Sequence, residues 1–222
     1  MSSIDSSAFV AAITPALQKR DVQQMLEICK ANWTADQVVS LLSCDNRDAR
    51  KVAALALSLA GCQHCLEPLA KALKDRDPMV NQMAEHAMWA VWFRGGATPE
   101  ANHQLARGAM AMERKDIPHA ISHFDRAIQF DPNFSEAYNQ RAIAKFMLER
   151  YDESLEDCRK VICIMPDHFG AWAGMGHCHA HLNHIPEAIA CYEKALSINP
   201  HMERLKEAIR ELHAGCCDEQ NA

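Results

Sequence analysis

Pro132, Pro166 and Pro200 each close a similar tripeptide, and their spacing is even: 166 − 132 = 34 and 200 − 166 = 34. An internal period of this size constrains a chain more than any other feature. Each unit is too small to bury its own apolar face and must bury it on the next. The residues between the prolines keep the same register. Gly108, Ala142 and Gly176 form one column, and Ala120, Ser154 and Ala188 a second. Phe124, Cys158 and Tyr192 form a third, and Ala127, Val161 and Ala195 a fourth. Ile117-Pro118 recurs as Ile185-Pro186, two periods later.

Each column has a physical reading as a pair of antiparallel helices. Small residues at 108, 142 and 176 face small residues at 120, 154 and 188, so two helix backbones approach closely. The column at 124, 158 and 192 places a larger side chain one turn further along the seam, except at Cys158. The closing proline follows the second helix, where it blocks continuation. Pro118 and Pro186 sit at the start of the second helix, where a missing N–H costs nothing.

This pattern resembles the tetratricopeptide repeat (TPR). The third unit fits best, with Trp172, Gly176, Ala188, Tyr192, Ala195 and Pro200 in order. The first has Gln104 at the aromatic position. The second departs most, with Ala142, Ser154, Cys158 and Val161, which stay small or apolar, so its local packing differs while the fold stands. The resemblance implies an all-α fold, a right-handed α-solenoid of helix-turn-helix repeats. Three repeats are expected over 98–200, at about 101–134, 135–168 and 169–202. Beyond Pro200, Leu205, Ala208, Ile209 and Leu212 share one helical face. They predict a capping helix within 201–222, followed by a frayed tail over 215–222.

Residues 1–97 lack this period but read as helical. Asn46–Leu57 can be laid over Asp77–Met88 at an offset of 31, which places Ala53 on Ala84 and Ala56 on Ala87. Leu66–Asp75 reads as the partner helix between them. The pattern resembles a HEAT-like (armadillo-type) repeat, an acidic turn opening an Ala-rich helix. Asp21–Lys30 and Ala35–Leu42 read as two earlier helices, the second N-capped by Thr34, and Pro15 is expected to interrupt the first helical stretch. Arg94–Glu100, with Gly95, Gly96 and Pro99, reads as a short link across which the two arrays abut.

Composition narrows the partners. Residues 1–97 balance ten Lys/Arg against ten Asp/Glu, whereas 98–222 carry thirteen against nineteen, the source of the net −6. No basic stripe is present, so neither nucleic acid nor a membrane surface is expected as a partner. The apolar runs fall short of a membrane span, and the first residues do not read as a secretory signal. The ten cysteines lie mostly within helical patterns and are expected to be reduced. The chain therefore reads as a cytoplasmic protein without a cofactor, with a monomer favoured.

No G-x-S-x-G elbow, phosphate-cradling loop or H-E-x-x-H motif is found, so the chain is expected to be no enzyme. An enzyme of a HEAT-like lyase kind would rest on fold analogy alone. His177 and His181 are four residues apart on one helical face, with His184 three further on. Such a set can hold zinc or nickel given a further ligand, and the alternative is a groove with uncommitted histidines. Cys62-Gln-His-Cys65 is half a zinc site or a redox pair. No second pair follows, so two cysteines at a helix start is the plainer reading.

The TPR resemblance implies a concave groove lined by the first helices, holding a protein or peptide partner as a scaffold or adaptor would. The matching groove positions are Asn102, Leu105 and Met112 in the first repeat, and Glu136, Asn139, Ile143, Phe146 and Met147 in the second. The third repeat offers His177 and His181. Phe146 and Met147 offer an apolar anchor, and Asn139 a partner for a ligand's backbone. One TPR subclass grips the C-terminal carboxylate of chaperones with Lys, Asn and Arg. Its positions here hold Leu105, Ala109, Gln140, Gly170 and Gly174, with no cation, which argues against that activity.

Overall fold

The computed structural model describes residues 4–219, which form thirteen α-helices and no strand. The chain divides into two compact units, Met1–Arg94 and Gly95–Ala222. Gly95–Ala97 go with the second unit because the Gly96 N–H donates to Asn102 Oδ1 (3.2 Å) and the Ala97 N–H to Asp131 Oδ2 (2.8 Å).

The first unit contains α1 (Ser6–Gln18), α2 (Val22–Asn32), α3 (Ala35–Ser40), α4 (Arg47–Ala60), α5 (Leu66–Ala72) and α6 (Pro78–Phe93). Short 3₁₀ turns at Leu41–Ser43 and Gln63–Cys65 precede α4 and α5. Pro15 does not interrupt α1 but lies inside it. Its missing N–H removes one bond, that to the Ala11 carbonyl, and the helix continues for three more residues to Gln18. Thr34 caps α3 as expected, with the Gln37 side chain reaching back to the Thr34 N–H. The 31-residue offset has a structural counterpart: Asn46 caps α4 and Asp77 caps α6. Ala53, Ala56, Ala84 and Ala87 are all buried. Arg50 is buried on α4, its guanidinium donating to both oxygens of Asp75 (2.8 and 3.2 Å) and to the Cys44 and Asp45 carbonyls.

The second unit repeats with the period of the sequence. Its helix pairs are α7 (Pro99–Glu113) with α8 (Ile117–Phe130), α9 (Ser135–Met147) with α10 (Tyr151–Ile164), and α11 (Phe169–His181) with α12 (Ile185–Ile198). Starts and ends of α8, α10 and α12 are 34 residues apart. Within each pair the chain turns through a left-handed residue, Lys115 (φ 59°), Glu149 (φ 60°) and Asn183 (φ 59°), again 34 apart. The following N–H reaches back five residues to a carbonyl in each case: Asp116 to Ala111, Arg150 to Lys145 and His184 to His179. These are Schellman closures.

The small-residue columns work as steric recesses. A Cβ on Gly108 would stand 2.3 Å from the Phe124 ring, and one on Gly176 would stand 2.4 Å from the Tyr192 ring. Only glycine admits those aromatics. Neighbouring repeats are also joined, since Tyr138 Oη donates to the Pro132 carbonyl (3.2 Å) and Trp172 Nε1 to the Pro166 carbonyl (2.8 Å). Gln104, at the same register, instead meets His123 Nδ1 at 2.8 Å. The closing helix α13 (Glu203–Glu219) packs Leu205, Ala208, Ile209 and Leu212 on the cluster around Tyr192 and Ala195. It continues through Gly215, where fraying was expected, and residues 220–222 lie outside the described residues.

Candidate functional site

The second repeat is where the pattern breaks, and a cavity opens there. Cys158 on α10 takes the position that Phe124 and Tyr192 fill in the flanking repeats. With a thiol in place of a ring, a cavity of about 170 Å³ lies between α9 and α11. Ala142, Ser154 and Cys158 line it deeply, all at most 2 % exposed. Ile143, Phe146, Gly170, Gly174 and His177 line it nearer the surface. A space of about 150 Å³ lined by apolar groups accepts a benzene ring, so this one accommodates a single large apolar side chain.

The floor is fixed by hydrogen bonds. Ser154 Oγ donates to the Ala142 carbonyl (2.8 Å) and receives the Cys178 thiol (3.3 Å). Burial pushes the thiols of Cys158 and Cys178 up, so both stay protonated and unreactive. The rim is aromatic. Phe146 meets Tyr151 and His181 edge-to-face (5.3 and 5.1 Å between centroids), and His181 stacks on Tyr151 at 4.8 Å. His177 Nδ1 lies 2.8 Å from the Tyr192 hydroxyl. The His177 side chain is partly open to solvent, but desolvation of its ring against the cavity wall, with a smaller contribution from His181, lowers its pKa from the ordinary value. Burial likewise pushes the Tyr192 phenol up to about 12, so both groups are neutral at pH 7.

The cations of α9 are already committed. Arg141 donates to Asp125 (2.6 Å) on α8 and to both oxygens of Asp157 (2.6 and 2.9 Å) on α10, and Lys145 lies 2.7 Å from Asp157. Burial alone would lower the Arg141 pKa, but these two carboxylates raise it. Asp157 is itself buried, so this network braces three helices and leaves neither cation free to grip an anion.

The structure sorts the expected groove residues. Ile143 (41 % exposed) and Met147 (53 %) are open, Phe146 and Met112 are half-buried, and His177 and His181 are exposed. Of these, Ile143, Phe146 and His177 meet at the cavity. Leu105 does not line an open groove, because it is fully buried in the first repeat. Glu136 is fully buried as well, and Asn139 nearly so. Glu136 accepts from Asn139 (3.3 Å), Gln140 (2.6 Å) and His168 Nε2 (3.1 Å), and His168 Nδ1 accepts the Ala171 N–H at the start of α11. These side chains tie the second repeat to the third, although Asn139 still reaches the cavity wall. Asn102 binds the Gly96 and Thr98 carbonyls and so holds the entry to α7. The histidine metal set is not assembled, since His184 turns to His179 (Nδ1–Nδ1 3.5 Å) and His177 to Tyr192.

Comparisons with known proteins agree with this fold. Models of the tetratricopeptide repeat match residues 170–209 and 123–156. A TPR repeat-containing protein of Rhizobium etli is 28% identical over 148 residues, 66% of this chain and 72% of that protein. The Hsp70-Hsp90 organizing protein of Triticum aestivum is 30% identical over 111 residues, 50% of this chain but only 19% of that protein. Among solved structures, the first TPR of Spaghetti (RPAP3), bound to HSP90 peptide SRMEEVD, superposes with a TM-score of 0.52 at 19% identity. That match covers 53% of this chain and 94% of that one, and it shows the fold. Residues 123–156 and 170–209 therefore match tetratricopeptide repeats, and the second unit has the fold of a TPR domain.

Proposed function

We propose that this chain is a protein-interaction scaffold. Its TPR groove takes a partner peptide, and the cavity above Cys158 takes one large apolar side chain of that peptide. The observation that carries the reading is the replacement of a ring by a thiol at position 158, beneath a rim of Ile143, Phe146 and His177. Met147, exposed one residue beyond Phe146, extends the apolar surface and adapts to varied partners.

The TPR relatives include a protein whose name is Hsp70-Hsp90 organizing protein and a structure holding an acidic HSP90 peptide. For this chain the proposed ligand is apolar and not an acidic C-terminus. Arg141 and Lys145, the cations of α9, are held by Asp125 and Asp157, and none of the cavity residues is a Lys or Arg. In the first unit, α4 and α6 are each capped by a polar side chain, Asn46 and Asp77, and each buries alanines, which supports a HEAT-like reading of that unit.

The test is capture of partners from native lysate, comparing wild type with Ile143→Ala/Phe146→Ala/Met147→Ala after circular dichroism has shown equal helicity. Loss of a specific partner by the variant supports the groove. Retention of every partner by the variant refutes it.

A further inference from the structure

The first unit gathers a different kind of chemistry. Cys62, His64 and Cys65 each place one ligand atom within 4.8 Å of the others, and they are the one such cluster of three or more among the described residues. Cys62 Sγ lies 3.3 Å from His64 Nδ1 and 3.4 Å from its Nε2, and the same Nε2 lies 3.4 Å from Asp36 Oδ1. Zinc–sulfur bonds of about 2.3 Å and zinc–nitrogen bonds of about 2.0 Å in a tetrahedron place ligand atoms roughly 3.3–3.8 Å apart. The Cys62–His64 separation already has that value.

The backbone presets the cluster. Gly61 ends α4 with its N–H on the Leu57 carbonyl, and a Cβ there would stand 2.4 Å from that carbonyl oxygen, so only glycine fits. The Arg94 guanidinium donates to the Ser58 carbonyl at 2.6 Å and reaches the Gly61 carbonyl at 3.4 Å, bracing the loop. The Cys65 N–H then closes on the Cys62 carbonyl (2.9 Å), which turns both sulfurs to one side. Asp36 sits in the first turn of α3, behind the Thr34 cap.

We propose that Cys62, His64 and Cys65 bind a zinc ion through two thiolates and His64 Nδ1. With the metal on Nδ1, the Nε2–H is left for Asp36 Oδ1, 3.4 Å away, which then fixes the tautomer and the ring. A carboxylate behind a ligating imidazole is the usual orienting partner. Binding forms two Zn–S bonds and one Zn–N bond, and the two thiol protons pass to the buffer. No electron is transferred. Three protein ligands leave the fourth position to water or to a side chain of a bound partner. Cys62 and His64 are exposed, which gives the ion an entry path, while Cys65 is fully buried and anchors the site.

The experiment uses the full chain, purified without a histidine tag in a thiol-free reductant and titrated with Co²⁺ and then Zn²⁺. The expected result is one equivalent of Co²⁺ with a thiolate-to-cobalt charge-transfer band and tetrahedral d–d bands, all bleached by Zn²⁺. Cys62→Ser and His64→Ala, at exposed positions, should keep wild-type helicity and lose Co²⁺ affinity by more than about 100-fold. Asp36→Asn should lose about ten- to a hundredfold. Sub-stoichiometric cobalt without the charge-transfer band overturns the proposal, as does a band that survives Cys62→Ser. A Cys62–Cys65 disulfide that persists in reductant overturns it too.

Discussion

The Cys158 thiol lies directly beneath Gly174: a Cβ built on the glycine would stand 3.3 Å from the sulfur. In the flanking repeats the residue in Cys158's place is an aromatic ring pressed against a glycine of its own repeat, Phe124 on Gly108 and Tyr192 on Gly176. In the second repeat that glycine is Ala142, and the ring is absent. One unit of the array is thus under-filled between two that are full.

Restoring the missing ring should close the cavity. Ala142→Gly with Cys158→Phe recreates the pairing of Gly108 with Phe124. Burying the ring contributes about 1.5–3 kcal/mol, against roughly 1 kcal/mol for glycine in a helix. Urea unfolding should show the double variant more stable than wild type by about 1 kcal/mol. Cys158→Phe alone should be destabilised, because the Ala142 Cβ occupies the space the ring needs.

Gly176→Ala should cost about 1–3 kcal/mol by forcing the Tyr192 ring aside. The loss should shrink in Gly176→Ala/Tyr192→Leu, where a flexible side chain yields. Thermal unfolding of the four proteins in the cycle gives the coupling, and additive losses would show that the contact is not the cause.

Arg50 and Asp75 form a pair almost closed to solvent, 2.8 Å apart in the first unit. Asp75→Ala strands the guanidinium and should cost about 3 kcal/mol. Arg50→Met/Asp75→Ala should recover part of that loss, because no charge is then left unpaired. Denaturant midpoints at one pH and salt concentration measure both.

Acid should weaken the fold through its histidines. Desolvation lowers the pKa values of His123, His177 and His179, aided by nearby cationic or imidazole groups. A group with a lowered folded pKa binds more protons when unfolded, so its contribution is complete above the unfolded value of about 6.5. It is lost as pH falls through the folded value. The melting temperature should therefore fall between pH 7.5 and pH 5, and fall less in His177→Gln/His179→Gln.

The TPR half was readable because its columns are steric requirements. A glycine that must admit a ring, or a proline that must end a helix, leaves the same mark wherever it occurs. The cavity left only a negative mark, the smaller residue at 158, and its size depends on how far Ser154, Cys178 and Ala142 close in. Glu136 and Asn139 match groove positions by register, but Glu136 is drawn inward by His168, 32 residues later and off the 34-residue period. The cluster at Cys62 was half visible as a C-x-x-C. The proximity of Asp36, on another helix, exists only in the fold.

Whether the under-filled second repeat receives an apolar side chain is decided by selecting a displayed random-peptide library on wild type and on Ala142→Gly/Cys158→Phe. Wild type should enrich peptides sharing one large apolar residue, and the filled variant, equally helical, should enrich none of them. Enrichment of the same peptides by both proteins, or of acidic C-terminal peptides by wild type, would contradict such binding.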